Sequence, residues 1–207
     1  MAAYIAARTS FFDDQLLAAC ERGAGQVVIL GAGYDGRPVR FRQPNVAFFE
    51  VDHPDTQADK RRRLADLDVD ATDVRWVELD IGHDRADTVL GTSGHEASLP
   101  THFMCEGVTA YLPIAVLREL LRSVRSCAAP GSTLAIDFAT PRRGHTIASR
   151  ALLAATRLGT AVMGEQIVTL LSPDEAIALL NDTGWNGVDL VPPSESSTVV
   201  FAVAAAQ

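Results

Sequence analysis

The sequence predicts a single α/β domain, residues 1–207, built on a doubly wound and mostly parallel sheet of seven strands that ends in an antiparallel hairpin. Three observations predict it. Short apolar, β-branched runs alternate with amphipathic segments, the pattern of parallel neighbours joined by right-handed crossovers. The first run ends in a glycine turn that opens onto a helix. The last two runs are joined by a short link, which suits a hairpin and not a crossover.

The elements follow in order. Ser10 and Asp13 have capping-box spacing, and Phe12, Leu16, Ala19 and Cys20 share one helical face until Gly23, so a first helix is expected to begin just after Arg8. Gln26 to Gly31 (QVVILG) reads as a buried strand, and Val46 to Val51 (VAFFEV) as a second. Pro54 to Asp68, with the cluster Lys60-Arg61-Arg62-Arg63, reads as a surface helix. VRWVEL (Val74 to Leu79) is the third strand, Gly82 to Pro100 has weak helical character, and THFMCEG ends a fourth strand near Glu106. Pro113 opens a helix with Ile114, Leu117, Leu120, Leu121 and Val124 on its apolar face, and Pro130-Gly131 closes it. STLAIDFA is strand five. Ile147 to Leu158 reads as helical, Ser172-Pro173-Asp174-Glu175 is a helix start with Ser as cap, and Trp185 to Val191 and Ser197 to Ala206 form the terminal hairpin. Within the one domain these group as an N-terminal helix (1–25), a core (26–140), a lid or substrate segment (141–171) and a closing helix with hairpin (172–207).

Composition narrows the function. Eighteen Lys and Arg stand against 26 Asp and Glu, and the formal charge of −8 argues against a phosphate-neutralising or anionic-lipid surface, so neither nucleic acid nor membrane is an expected partner. Three cysteines at unrelated spacings, with no CxxC and no Cys/His cluster, suit a reducing cytoplasm and no metal site. The N-terminus lacks the pattern of a signal peptide, and no run is long and apolar enough for a membrane helix.

Gly31-Ala32-Gly33-Tyr34-Asp35-Gly36 matches GxGxxG after a strand, where glycines let backbone approach a ligand lying against amides at the next helix start. Glu50 and Asp52 lie two apart, hence on one side of the second strand's end, where a carboxylate can accept both ribose hydroxyls. Asp80-Ile81, after strand three, pairs an acceptor for an exocyclic amine with an apolar surface for a purine. Glu106-Gly107 ends strand four on the same carboxyl edge, and Arg8 is placed to return over that edge and bind a carboxylate bidentately. The glycine turn and the acids select an adenosine ligand and serve NAD and S-adenosylmethionine equally; the terminal hairpin favours the second.

RTSFFDD (Arg8 to Asp14), VVILGAGYDGRPVRF (Val27 to Phe41), FFEVDHPDTQADKRRRL (Phe48 to Leu64), LDI (Leu79 to Ile81) and CEGVTAYLP (Cys105 to Pro113) together resemble the leucine carboxyl methyltransferase family, including its large actinobacterial branch of S-adenosylmethionine-dependent methyltransferases. The resemblance covers about residues 7 to 140. It implies a class I methyltransferase (Rossmann-like) fold and S-adenosyl-L-methionine as cofactor, with S-adenosyl-L-homocysteine as product. It further implies that Arg8 binds the methionine carboxylate, that Gly31, Ala32 and Gly33 underlie the methionine part, that Asp52 takes the ribose, that Asp80 and Ile81 hold adenine, and that Glu106 sits near the methionine end. Tyr111 would face the methyl acceptor. The family turn usually reads GAGLDTR, whereas here Tyr34 replaces Leu and Gly36 replaces Thr. Only seven residues precede Arg8, which raises the expectation of a truncated or minimal chain, or of a pocket completed by a second copy or a partner subunit.

Methyl transfer from a sulfonium is an in-line displacement, so the protein chiefly aligns the acceptor and excludes water. A carboxylate acceptor needs no base and a phenol does. His145 is the best-placed histidine and is carried as a substrate-side candidate, but no catalytic base is assigned. The expected activity is O-methylation of a carboxylate or hydroxyl on a small molecule or peptide. The alternatives are a methyltransferase-like protein that binds the cofactor without methylating, and an NAD-dependent oxidoreductase, which lacks support from any Tyr-x-x-x-Lys pattern.

Overall fold

A computed structural model describes residues 2–141, 167–191 and 198–206. The elements are α1 (Ala2–Glu21), β1 (Gln26–Leu30), α2 (Arg37–Arg40), β2 (Ala47–Asp52), α3 (Pro54–Asp66), β3 (Val74–Glu78), α4 (Ala86–Thr92), β4 (Thr101–Cys105), a 3-10 turn (Thr109–Tyr111), α5 (Ile114–Ser126), β5 (Thr133–Ala139), α6 (Pro173–Asp182), β6 (Trp185–Val191) and β7 (Val199–Ala206). The expected helix over Ile147 to Leu158 and the candidate His145 lie outside the described residues.

The seven strands form one sheet in the order β3-β2-β1-β4-β5-β7-β6. All neighbours among β1 to β5 pair in parallel, and β7 pairs antiparallel with both β5 and β6. The hairpin is therefore inserted with its second strand inside the sheet. Strand order reverses between β1 and β4, which opens a crevice at the carboxyl ends of those strands, where open α/β sheets bind ligands.

Two apolar layers bury the sheet. Phe12 and Leu16 of α1 pack on Val27, Ile29, Phe48 and Met104, while Leu90, Leu117, Leu121, Leu179 and Trp185 cover the opposite face with Val28, Phe49 and Phe103. Alternation along β2 sends Phe48 to the first layer and Phe49 to the second. Phe11 stacks on Phe201 of β7 at 4.7 Å between ring centroids, so the first helix is braced by the last strand. Trp185 is fully buried and satisfies its indole N–H on the Leu121 carbonyl at 3.1 Å.

Two local expectations are corrected. α1 begins at Ala2, so Arg8 lies within the helix and not ahead of it; the Ser10 hydroxyl donates to Asp14 (3.4 Å), and Asp13 pairs with arginines of α2 instead of closing a capping box. The cap expected at Ser172 is present, with Glu175 completing the reciprocal pair. Lys60 is not a surface residue: it is 5% exposed, on the buried side of α3 with Gln57.

Candidate functional site

The crevice at the reversal point is a cavity of about 460 Å³ that brings together Arg8, Gly31, Ala32, Gly33, Glu106 and Tyr111. β1 ends at Leu30, and Gly31 and Gly33 then turn the chain with φ of +64° and +49°, a region that glycine enters without a Cβ penalty. Each does something different. A Cβ on Gly31 would collide with the Val108 Cγ2 methyl, so this glycine permits the close approach of the loop after β4. Above Gly33 the space is open, its nearest neighbour being the Gly31 carbonyl at 4.0 Å, so backbone is exposed to whatever enters the cavity.

The end of β2 fastens this turn. The Gly33 amide donates to the Asp52 carboxylate at 2.5 Å, and the His53 amide donates to its other oxygen at 2.6 Å. Of the two acids expected at this strand end, only Asp52 is reachable from solvent. Glu50 is 2% exposed and pairs with Lys60 of α3. Burial raises the Glu50 pKa to about 7 against the opposing pull of Lys60. The Lys60 ammonium also donates to the Asp35 carbonyl at 2.6 Å, so α3 holds the glycine turn from below. Gln57 donates to the carbonyls of Glu50 and Val77 (2.8 and 2.9 Å), satisfying backbone between β2 and β3.

At the far side of the cavity, Arg8 Nε lies 2.8 Å from one oxygen of Glu106, and Arg37 Nη1 donates to the other at 2.7 Å. Arg37 also bonds Asp13 and Asp35, each at 2.6 Å. Behind Glu106, the Asp137 carboxylate accepts from the Gly107 amide at 2.7 Å, and burial lifts its pKa to about 6 in spite of that bond. Arg8 also lies over the ring of Tyr4, 5.5 Å from its centroid.

Asp80 and Ile81 do not line this cavity. They follow β3, two strands away from β1, and Ile81 instead borders a groove of about 330 Å³ between the start of α4 and α5. Asp80 is half exposed, and the Gly82 amide and His83 hold its carboxylate below the usual range. The carboxyl edge thus presents, from β3 to β4, an exposed carboxylate, the Asp52 carboxylate, a glycine turn, and an arginine facing a glutamate. That series is polar at both ends, and the glycine turn between them has its amides taken by the Val51 carbonyl and the Asp52 carboxylate.

The profile of the leucine carboxyl methyltransferase family matches residues 1–125. The chain belongs to this family. Among its relatives, a Parafrankia protein named for S-adenosyl-L-methionine-dependent methyltransferase activity is 43% identical over 141 residues, 67% of this chain and 45% of that one. A second with such a name, from Mycolicibacterium smegmatis, is 34% identical over 185 residues, covering 87% of this chain and 61% of that one. The chain therefore spans about half the length of the curated relatives it matches. Among solved structures, the magnesium protoporphyrin IX methyltransferase of Synechocystis with bound S-adenosylhomocysteine superposes with a TM-score of 0.62 over 97% of this chain and 83% of its own, at 11% identity. The mitomycin 7-O-methyltransferase does so at 0.59 over 89% and 50%, at 15% identity. The fold is that of the class I methyltransferases.

Asp13, Arg37 and Lys60 lie within the quoted motifs, but motif reading gave them no part in the site. Lys60 stands at the head of a run of four basic residues, and its i, i+3 spacing from Gln57 was the one sign that it turns inward. Arg37 is adjacent to the glycine turn, but its three acidic partners come from α1, the turn and the end of β4. Among the described residues, no group of His, Cys, Asp and Glu side chains is arranged to hold a metal ion, and no helix is long and apolar enough to cross a membrane.

Proposed function

We propose that this chain is an S-adenosylmethionine-dependent O-methyltransferase whose acceptor is a carboxylate or hydroxyl of a small molecule or peptide. The observation that carries the reading is the ion pair of Arg8 and Glu106 at one side of the cavity floored by Gly31 and Gly33. One cation and one anion at the same end suit an amino acid, which brings a carboxylate and an ammonium together. The Arg8 Nε is buried without a well-aligned acceptor, and the open backbone at Gly33 offers a floor that any side chain would obstruct. The residues fit the cofactor that the family implies.

In this reading Arg8 binds the methionine carboxylate and Glu106 the ammonium, while Gly31, Ala32 and Gly33 lie beneath the chain between them. Asp52 accepts the ribose hydroxyls, and Asp80 with Ile81 receives the adenine. Glu50 supports from behind through Lys60. S-adenosylmethionine supplies, when bound, a methyl group already activated on a sulfonium. What the chain supplies is alignment and exclusion of water. Tyr111, 42% exposed at the cavity wall, faces the acceptor in this reading.

Thermal unfolding with S-adenosylhomocysteine, S-adenosylmethionine and NAD, each at a hundredfold excess over a micromolar dissociation constant, tests the reading. A native-state ligand then adds about 2.7 kcal/mol, or roughly 5–10 °C for a domain of this size. Shifts with both adenosyl ligands, none with NAD, and smaller shifts in Arg8→Ala and Asp52→Ala are expected. A shift with NAD alone overturns the cofactor assignment. Methyl transfer to a panel of carboxylic acids and phenols then tests the acceptor class.

A further inference from the structure

Glu106 is approached by two arginines, and their surroundings differ. Arg37 is committed throughout: Nε bonds Asp13 (2.6 Å), Nη1 bonds Asp35 and Glu106 (2.6 and 2.7 Å), and Nη2 reaches the Thr9 carbonyl (3.4 Å). Its side chain is 5% exposed. Arg40 secures the other oxygen of Asp13 at 2.7 Å, which stiffens the assembly from outside. Arg8 is 27% exposed, makes one ion pair, and rests against Gly107, where a Cβ would come within 3.3 Å of its Nη1. One arginine is tied to three carboxylates, and the other to one carboxylate and the Tyr4 side chain.

Charge balance gives this asymmetry a purpose. In direct ion pairs Arg8, Arg37 and Arg40 match Asp13, Asp35 and Glu106 one for one, while the buried Asp137 carboxylate behind Glu106 is held by the Gly107 amide. A zwitterionic amino-acid end adds one charge of each sign. Neutrality at each contact is kept if its ammonium goes to Glu106 and its carboxylate to Arg8, which requires Arg8 to leave Glu106 while Glu106 stays in place. Burying an unpaired carboxylate is costly, and the Arg37 guanidinium keeps Glu106 paired and in place while its second partner changes from Arg8 to the ammonium.

We propose that Arg37 is the positioning residue that retains Glu106 while Arg8 exchanges Glu106 for the carboxylate of the ligand's amino-acid end. The proposal rests on the cofactor reading above and goes beyond it in assigning the two arginines opposite parts. Arg37 borders the cavity, but its donors are engaged by Asp13, Asp35, Glu106 and the Thr9 carbonyl. It acts through Glu106, and its tie to Asp13 makes α1 part of the site's rigid frame.

Titration calorimetry with S-adenosylhomocysteine and with 5′-methylthioadenosine, which lacks the amino-acid end, separates positioning from folding. Arg37→Lys keeps the charge but cannot reach three carboxylates at once. Asp13→Asn keeps Arg37 and loosens its anchor, and it serves if the lysine variant folds poorly. Wild type is expected to prefer S-adenosylhomocysteine. Arg37→Lys should lose about tenfold or more of that affinity, the scale of one charge-assisted contact, and Asp13→Asn a smaller part of it. Binding of 5′-methylthioadenosine should stay within about twofold in both. Equal losses for the two ligands would show a merely structural role, and an unchanged S-adenosylhomocysteine affinity would show none; either overturns the proposal. Wild type that binds neither nucleoside overturns the cofactor reading and this inference with it. Wild type that binds both equally tightly leaves the cofactor reading standing and removes the exchange.

Discussion

Lys60 and Glu50 form an ion pair inside the protein, with side chains 6% and 3% exposed, directly beneath the glycine turn. Removing one partner strands the other charge, so Lys60→Met is expected to cost about 3–5 kcal/mol in urea denaturation. Lys60→Met combined with Glu50→Leu should recover most of that loss. Recovery will be incomplete because the Asp35 carbonyl also loses its donor. If the double variant is no more stable than the single, the pair is not what the stability depends on.

The Asp52 carboxylate is hydrogen-bonded twice to backbone, at Gly33 and His53. Asp52→Ala should lower stability by about 1–3 kcal/mol and weaken S-adenosylhomocysteine binding by about tenfold or more. Asp52→Asn, which keeps one acceptor, should fall between. Calorimetry and chemical denaturation on the same preparations check both; unchanged affinity in Asp52→Ala would remove Asp52 from the ribose site.

Gly31 faces two separable constraints, its φ of +64° and the Val108 methyl in the path of any Cβ. Gly31→Ala should destabilise by about 2–4 kcal/mol, the sum of left-handed strain and overpacking. Adding Val108→Ala should relieve the steric part and leave about 1 kcal/mol of backbone strain, beyond the cost of the valine truncation itself. A double-mutant cycle reads the coupling, and strict additivity would contradict the geometry.

Two buried groups should respond to pH in opposite directions. Burial raises Glu50 from 4.5 to about 7, so the folded chain holds this proton more tightly than the unfolded one. Its contribution favours folding below about pH 4.5 and is lost as the pH rises through 7. Burial depresses His102 from 6.5 to about 3, so its contribution is complete above about pH 6.5 and is lost on acidification toward 3. At pH 5 the His102 loss is about 2 kcal/mol. Relative to wild type, His102→Gln should therefore gain stability between pH 8 and 5, while Glu50→Gln should lose ground over the same interval. Parallel responses would show that these groups do not set the pH dependence.

The sheet was legible because each strand is a short apolar run bounded by a turn signal, and each boundary in the structure falls within two residues of the one expected. The hairpin followed from link length alone. The start of α1 was not read correctly: the polar spacing of Ser10 and Asp13 imitates a cap, while the helix runs back to Ala2 through an alanine-rich stretch of high helix propensity. The backbone parts of the site, Gly31 and Gly33, were visible because a turn leaves a local imprint. The charged frame around Arg37 was not, since Asp13 and Glu106 are 24 and 69 residues away from it in the chain. Glu50 showed the reverse failure, a residue placed correctly at the strand end whose partner on α3 had been read as surface charge.

The last described strand, β7, occupies an interior place in the sheet between β5 and β6 and carries Phe201 onto Phe11 of the first helix. During synthesis β6 must wait for residues made after it before it has any hydrogen-bonding neighbour, and α1 lacks the ring that braces it until the same moment. The cavity at the carboxyl edge is lined by residues made by Tyr111, well before that point. A nascent chain thus holds every described side chain that lines the cavity while its sheet is still open at β5, and the sheet closes only once β7 has been made.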